Sequence, residues 1–520
     1  MKILKIETIS MNSSRRFSRD FTVIALLGIL AAFLRLLFIG KQSLWTDEAF
    51  SVWVAGHPLQ TILQILKVDA HPPLFYSLLH GWMSFGRSEA FLRFPSALFG
   101  VLNCMLVYLL GKSLFNARLG LIASLFWACS FAALNQETQV RMYAFATTLS
   151  LAASLVFWFA WKRQSPASWL FYGVLGAICL YIHYFTFFIL SAHVVFLLLR
   201  RQWKPALFCL VFFGVTFSFC LPLFLTQMRA GGGSLIPLTP PIEYAMNLAW
   251  LLLAYRFFDL PIYYILGTLL ASALVFLAVW QSRKEKQDEI FFLMLLFLIP
   301  YAVPFLLSST LSLHLLAFRY LILLAPYYYL LVFIGLSKLP RVVHLPLTGA
   351  LLLVNLIVWF FLLTSPSFER QNWKAAAAIL RRNVRANDAV LVEEAPAIFP
   401  LCYYLPDLVR VDWREKTYLV IPQNPQIPWL IAEGERNLSQ VAELSNRSKR
   451  QWLIWFEGYY PDPRGVVKNL LLKNDGSPTL YRLRSFDIDN EIYIYLFSPR
   501  SSESHTKKEL SYRRGKFWHG

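Results

Sequence analysis

The chain has 520 residues and is 57% hydrophobic, 16% aromatic and only 15% charged, whereas a globular protein carries about 25% charged residues. The shortfall is uneven: residues 1–364 hold 38 of the 79 charged side chains, and the last 156 residues hold 41. A membrane part therefore precedes a water-soluble part, which excludes a cytosolic enzyme, a disulfide scaffold and a disordered chain. The formal net charge of +19 sits in short basic runs between apolar segments, where it orients a protein in a bilayer, so no nucleic-acid partner is expected.

The basic N-terminal segment, 1–20, lacks an apolar core and a small-residue cleavage site. The apolar run that follows, about 19 residues long, reads as a retained span rather than a signal peptide. Crossing the hydrocarbon core takes about 17–25 apolar residues. Candidate spans lie at 21–39, 90–111, 118–134, 143–161, 168–183, 184–200, 205–225, 261–280, 290–308, 318–336 and 343–363. Two further apolar stretches, 73–85 and 244–258, are short or interrupted.

Charge parity decides their status. The basic runs at Arg15/Arg16/Arg19, Lys112/Arg118, Lys162/Arg163, Arg200/Arg201/Lys204, Arg283/Lys284/Lys286 and Lys338/Arg341 all become cytoplasmic only if those two stretches do not cross. The expected fold is an α-helical polytopic membrane protein with about 11 transmembrane helices. Its N-terminus is cytoplasmic, and 73–85 and 244–258 are interfacial or re-entrant helices. The membrane part is expected to run from 21 to 364. A soluble extracytoplasmic α/β domain follows at 365–500, then a basic tail at 501–520. In that domain an Ala-rich helix at 372–386 precedes strands in AVLVEE, YLVIP, QWLIWFEG and EIYIYLFS. Asn437 and Asn446 open glycosylation sequons, which matter only if the source glycosylates them. Of six cysteines, five lie in apolar runs and Cys402 stands in the soluble part, so no disulfide framework is visible.

Parity also sorts the twelve carboxylates of the membrane part. Asp47, Glu48, Asp69, Glu89, Glu137, Glu243 and Asp259 fall on the outer side, so a substrate site is expected there. After the first span, KQSLWTDEAFSVW sets Asp47 and Glu48 among aromatic residues. A partly desolvated carboxylate at the interface can take a proton from a hydroxyl nucleophile; a helix N-cap is the alternative. In DAHPPLFYSLLHGW, Asp69 and His71 precede Pro72-Pro73, where they can orient a substrate or a metal, or cap a helix. NQETQVRMYA brings Gln136, Glu137, Arg141 and Tyr143 to the outer boundary, and YIHYF places His183 at an outer turn. LHLLAFRYLILLAP ends with Arg319 and Tyr320 at an outer helix end. Arginine there suits a phosphate; snorkelling toward headgroups is the alternative, and it suits Arg35 better.

Taken in order, WTDEAFS, HPPLFYSLLHGWMSFGRSEAFLRFPSALFG, NQETQVRMYA, YIHYF, FRYLILLAP and NWKAAAAILRRNVRANDAVLV resemble the GT-C superfamily of membrane glycosyltransferases. The resemblance is to glycosyltransferase family 39, the protein O-mannosyltransferase and aminoarabinose-transferase-like group, and covers roughly residues 20–400. It implies sugar transfer from a polyprenyl-phosphate donor to an acceptor glycan, lipid or protein on the non-cytoplasmic face. It carries over Asp47 as catalytic base, with Glu48 adjacent. Where some members have an Asp in the second functional loop, this chain has Gln136 and Glu137. Arg141 and Arg319, beside Tyr320, are candidates for the donor phosphate. Asp69, His71, Glu137, Tyr143 and His183 are candidate supporting residues. No cofactor is required by the pattern; a divalent metal at His71 and His183 is left open. A transporter or flippase of lipid-linked saccharides is the alternative reading, and a non-catalytic assembly protein working through 365–520 is a third. No internal repeat appears, and the polar residues gather at the outer boundary rather than the midplane, unlike a typical transporter. No Gly-rich phosphate loop for a nucleotide sugar is present either.

Overall fold

A computed structural model describes residues 2–231, 240–254, 261–282, 285–311, 315, 317–364, 371–393, 395–414, 417–432, 438–456, 466–475, 478–483 and 492–497. Asp259, Arg283, Lys284, Asn437 and the tail at 501–520 lie outside the described residues, as do the side chains of Arg15 and Arg16.

Helices dominate. In chain order they are α1 (Lys2–Leu36), α2 (Thr46–Ala55), α3 (Leu59–Ile65), α4 (Leu74–Trp82), α5 (Glu89–Leu114), α6 (Ala117–Cys129), α7 (Phe131–Glu137), α8 (Tyr143–Arg163), α9 (Pro166–Ile182) and α10 (Thr186–Leu199). Then come α11 (Trp203–Ser218), α12 (Leu221–Arg229), α13 (Pro241–Leu253), α14 (Pro261–Ser282), α15 (Gln287–Leu311), α16 (Ala325–Ser337) and α17 (Arg341–Thr364). Among the described residues, α5, α8, α14, α15 and α17 are each long and apolar enough to cross a membrane. The number rises to seven if each of two bent pairs is one span. The chain is thus a polytopic helical membrane protein.

The differences from the eleven expected spans have local causes. The expected span at 118–134 bends by 61° between α6 and α7. Ser130 ends one helix and caps the next, its hydroxyl pairs with Tyr329 at 2.9 Å, and Asn355 accepts the Phe131 N–H at 2.9 Å. Side chains thereby satisfy backbone groups that a break would strand in lipid. The expected span at 205–225 bends by 68° between α11 and α12, with Pro222 in the first turn of α12. The expected span at 318–336 is not one helix: Phe318–Leu323 is a 3₁₀ turn, and the α-helix begins at Ala325. Over 73–85 the chain forms α4, of 9 residues, and over the described part of 244–258 it forms α13, of 13; both are short for a crossing.

Two compact units emerge. The first takes in 1–39, 66–78 and 90–360. Its polar groups divide between opposite helix ends. At one end Asp20 pairs with Lys112 and accepts a hydrogen bond from Tyr108 at 2.9 Å, while Arg200 pairs with Asp288. Each ion pair requires its two residues to lie on one side of the bundle.

The second unit takes in 40–65, 79–89 and 361–520. Strands β1 (Asp388–Val392), β2 (Val409–Arg414), β3 (Thr417–Pro422), β4 (Trp429–Ile431), β5 (Arg450–Phe456), β6 (Thr479–Leu483) and β7 (Ile492–Phe497) are joined by helices α18 (Trp373–Asn383), α19 (Ile398–Tyr404), α20 (Leu438–Arg447) and α21 (Val466–Asp475). The five-stranded sheet has the order β4-β1-β5-β7-β6. In it β1 runs parallel to β4 and β5, and β7 antiparallel to β5 and β6. The four strands and the Ala-rich helix expected from sequence correspond to β1, β3, β5, β7 and α18; β2–β3 is a separate antiparallel pair. Leu391, Leu453, Tyr495 and Phe497 pack the sheet against Val441 of α20 and Val467 and Leu471 of α21. The burial pattern of β1 is continuous rather than alternating, as befits a parallel strand covered on both faces.

Candidate active site

In the first unit, Asp69, His71, Arg141, Tyr143, His183, Arg319 and Tyr320 come together where α8 begins, α9 ends and α10 begins. The loop carrying Asp69 and His71 is fixed from α12: Gln227 donates to the carbonyls of Leu66 at 2.8 Å and His71 at 2.9 Å, and accepts the Tyr184 hydroxyl at 2.7 Å. Tyr76, on the first turn of α4 after the double proline, donates its hydroxyl to Asp69 at 3.0 Å.

The Nδ1 of His71 faces the Asp69 carboxylate at 3.2 and 3.4 Å, and its Nε2 faces Nη2 of Arg141 at 3.4 Å. A guanidinium only donates, so Nε2 accepts and the proton of the neutral ring lies on Nδ1, toward Asp69. Burial opposes ionisation of Asp69, but contact with His71, the Ala70 N–H and the Arg141 charge outweigh it, and its pKa falls to about 2. Burial pushes His71 below the usual histidine range, and Arg141 and Arg319 add to this while Asp69 opposes it. The loop thus presents an ionised carboxylate, a neutral imidazole and a guanidinium in series.

His183 caps the end of α9 and stands edge-on to His71, with ring centres 5.6 Å apart, and to Tyr320, at 4.7 Å. Tyr143 packs at 5.7 Å from His183, and the Arg141 guanidinium lies 5.7 Å from the Tyr143 ring centre. The Tyr143 hydroxyl and Nε2 of His183 are buried and make no hydrogen bond among the described residues. A cluster rich in donors whose one carboxylate is already engaged suits a multiply charged oxyanion. Among the described residues no group of three or more His, Cys, Asp or Glu side chains is placed to hold a metal ion.

Glu137 belongs to a different structure. It ends α7 in full burial, paired with Arg35, and it accepts from Asn103 at 2.6 Å and Trp127 at 3.1 Å. Arg35 is only 1% exposed, so it does not snorkel as expected. The pair secures the helix that leads into the Arg141 turn, where Ser96 donates to the Arg141 carbonyl at 3.3 Å.

Asp47 and Glu48 lie in the second unit, in the first turn of α2. Glu48 is fully buried, and its carboxylate accepts the Trp45 N–H at 3.3 Å, which is the reach-back half of a capping box. Asp47 is half-exposed, and its carbonyl accepts the Ser51 hydroxyl at 2.8 Å. Within this unit Gln371 accepts both the N–H and the hydroxyl of Thr46, at 2.9 and 2.7 Å, and Trp53 donates to the Val411 carbonyl at 2.9 Å. These bonds seat α2 on the C-terminal part.

Sequence reasoning missed Gln227 and Tyr184. Gln227 is the one amide in the apolar run LPLFLTQM, and that isolation is the signal that could have found it. Tyr76 stood inside the HPPLFY element without being assigned a role.

The model of the family described as dolichyl-phosphate-mannose-protein mannosyltransferase matches residues 70–227. Among solved structures, apo ArnT from Cupriavidus metallidurans is similar at a TM-score of 0.55 and 12% identity, covering 91% of this chain and 97% of that one. ArnT bound to undecaprenyl phosphate aligns at 0.51 and 13% identity over the same shares, 91% and 97%. The Archaeoglobus fulgidus oligosaccharyltransferase, in complex with zinc and sulfate, aligns at 0.50 and 12% identity over 88% of this chain and 72% of that one. No curated protein sequence matches the chain. At such identities the structural likeness is one of fold, and it agrees with the family match over the segment that carries His71, Arg141 and His183. Residues 70–227 thus resemble the mannosyltransferase family, and the chain shares the fold of ArnT and of the archaeal oligosaccharyltransferase.

Proposed function

We propose that the protein moves a sugar from a polyprenyl-phosphate donor to a hydroxyl of a glycan, lipid or protein on the non-cytoplasmic face of the membrane, with inversion at the anomeric carbon. The observation that carries this reading is the gathering of Arg141 and Arg319 with the neutral, buried His71 and His183 at one end of the helical bundle. A lipid-linked donor keeps its tail in the bilayer and its phosphate at such a boundary. Two relatives point the same way: ArnT has undecaprenyl phosphate bound, and the matching family is described by a dolichyl-phosphate sugar.

In this reading the acceptor oxygen attacks the anomeric carbon as its proton passes to the base. The carbon–oxygen bond to phosphate breaks, and the lipid phosphate leaves with the electron pair. Arg141 and Arg319, supported by Tyr320, stabilise the charge that builds on the leaving oxygen. The family resemblance assigns the base to Asp47. Asp69 and His71 orient Arg141, and Tyr143 and His183 complete the donor side. The distribution of basic runs supports a cytoplasmic N-terminus and an extracytoplasmic C-terminal part, in a plasma (inner) membrane.

The test is to incubate the purified protein with a panel of polyprenyl-phosphate sugars and to measure release of lipid phosphate. Release with one sugar, lost in Asp47→Asn, is the expected result. Passage of an intact donor across a vesicle membrane without release would favour the transporter. Substantial transfer by Asp47→Asn would remove Asp47 from the base role.

A further inference from the structure

The backbone N–H of Phe185 points at Nδ1 of His183 from 3.1 Å. A ring nitrogen that accepts a hydrogen bond carries no proton, so this imidazole is neutral and its single hydrogen lies on Nε2. The contact therefore does two things. It closes the turn between α9 and α10, which the Thr186 hydroxyl reinforces by donating to the His183 carbonyl at 2.7 Å. It also commits the far side of the ring to being a donor.

That donor is buried and makes no hydrogen bond among the described residues, while buried N–H groups are nearly always paired. Its surroundings indicate what it pairs with. The charges of Arg141 and Arg319 both act on the ring. The Tyr143 hydroxyl is likewise buried without a hydrogen bond. The nearest carboxylate in the cluster, Asp69, is already taken by His71 and Tyr76. An acceptor that satisfies an imidazole N–H beside two guanidinium groups is an oxyanion with several free oxygens.

We propose that His183 binds the phosphate of the polyprenyl-phosphate donor through Nε2–H, as an uncharged donor whose tautomer is fixed by the Phe185 N–H. This rests on the reading of the chain as a user of lipid-phosphate sugars. It gives His183 a ligand-binding role separable from its part in the turn.

Substitution separates the two roles because the two ring nitrogens do different work. In His183→Asn the amide oxygen stands near the place of Nδ1 and still accepts from Phe185, but nothing reaches the place of Nε2. In His183→Gln the amide nitrogen reaches that place. The full chain in detergent is titrated with a short-chain polyprenyl monophosphate, with the matching polyprenol and with inorganic phosphate, and its melting point is taken without ligand. The expected result is that His183→Asn melts like wild type and binds polyprenol unchanged, yet loses about tenfold in affinity for the polyprenyl phosphate. His183→Gln should recover part of that loss.

Unchanged polyprenyl-phosphate affinity in His183→Asn would overturn the proposal. So would an equal loss for polyprenol accompanied by a lower melting point, which is the signature of a role in the turn alone. A loss seen with inorganic phosphate but not with the lipid would mean that a free phosphate is the ligand, and would also overturn it. If wild type binds neither phosphate probe, the donor reading itself fails, which is distinguishable from failure of the His183 assignment.

Discussion

Arg35 and Glu137 stand 102 residues apart in sequence, yet Nε of the arginine donates to the glutamate carboxylate at 2.8 Å with both side chains sealed from solvent. Gly100 makes room for them: a Cβ there would fall 2.5 Å from Nε of Arg35 and 2.8 Å from Cβ of Glu137. Removing one member leaves a charge stranded in the bundle, which costs on the order of 3–5 kcal/mol, whereas replacing both with apolar residues of similar volume is often neutral. Arg35→Met and Glu137→Leu should each lower the melting point and yield of folded protein sharply, and the double variant should regain most of the loss. Strict additivity of the two singles in a double-mutant cycle would show that the pair does not act as a unit.

A second close approach holds the helical bundle together. At Gly335 on α16 an added Cβ would meet the backbone carbonyl of Leu274 on α14 at 2.0 Å, and backbone cannot yield as a side chain does. Small residues at such crossings let membrane helices pack face to face. Gly335→Ala should cost about 1–3 kcal/mol through overpacking, read as a fall in the detergent melting point. Gly349→Ala on α17, with nothing within 4 Å of the added carbon, is the control and should melt like wild type.

These contacts mark the limit of what the sequence makes legible. Hydropathy and charge parity locate the helices because burial in lipid is written into every apolar run. Parity also puts Asp69, His71, Arg141, His183 and Arg319 on one face, where the structure brings them together. Arg35 escapes a local reading because a residue near a helix end looks alike whether it snorkels or pairs, and its partner lies six helices further on, at the end of α7. The bends at Ser130 and before Pro222 escape any sliding average, since one hydroxyl or one proline changes the mean very little. Gln227 is silent for the same reason: its two carbonyl acceptors become visible only once α12 has folded over the Asp69 loop.

The loop that Gln227 secures should show itself in the response to acid. Burial and two arginines keep His71 neutral in the folded protein below the ordinary histidine pKa of about 6.5. The unfolded chain takes up its proton as pH falls through that value, while the folded chain does not. The neutral ring's contribution to stability is therefore complete above about pH 6.5 and declines as pH falls toward the lowered folded pKa. Wild type should lose melting temperature between pH 7.5 and 5.5, and His71→Gln, which keeps a hydrogen-bonding amide but cannot titrate there, should lose less. An identical drop in both would remove His71 from the acid response. Asp69, with its pKa near 2, stays ionised throughout this window and contributes nothing to the difference.

The adjacent carboxylates of the first loop are expected to part company in the same kind of measurement. Glu48 is buried, and its carboxylate takes the Trp45 N–H at the start of α2. Asp47, one position earlier, keeps a half-exposed side chain. Glu48→Gln retains an oxygen for the Trp45 N–H and should leave stability within a few tenths of a kcal/mol of wild type, whereas Glu48→Ala loses the cap and should cost about 1 kcal/mol. In both variants, sugar transfer per folded molecule should persist. Asp47→Asn is nearly isosteric and should melt like wild type while transfer disappears. Measuring transfer and melting point on the same preparations decides the matter: loss of transfer in Glu48→Gln at unchanged stability would move the base from Asp47 to Glu48, or divide the role between them.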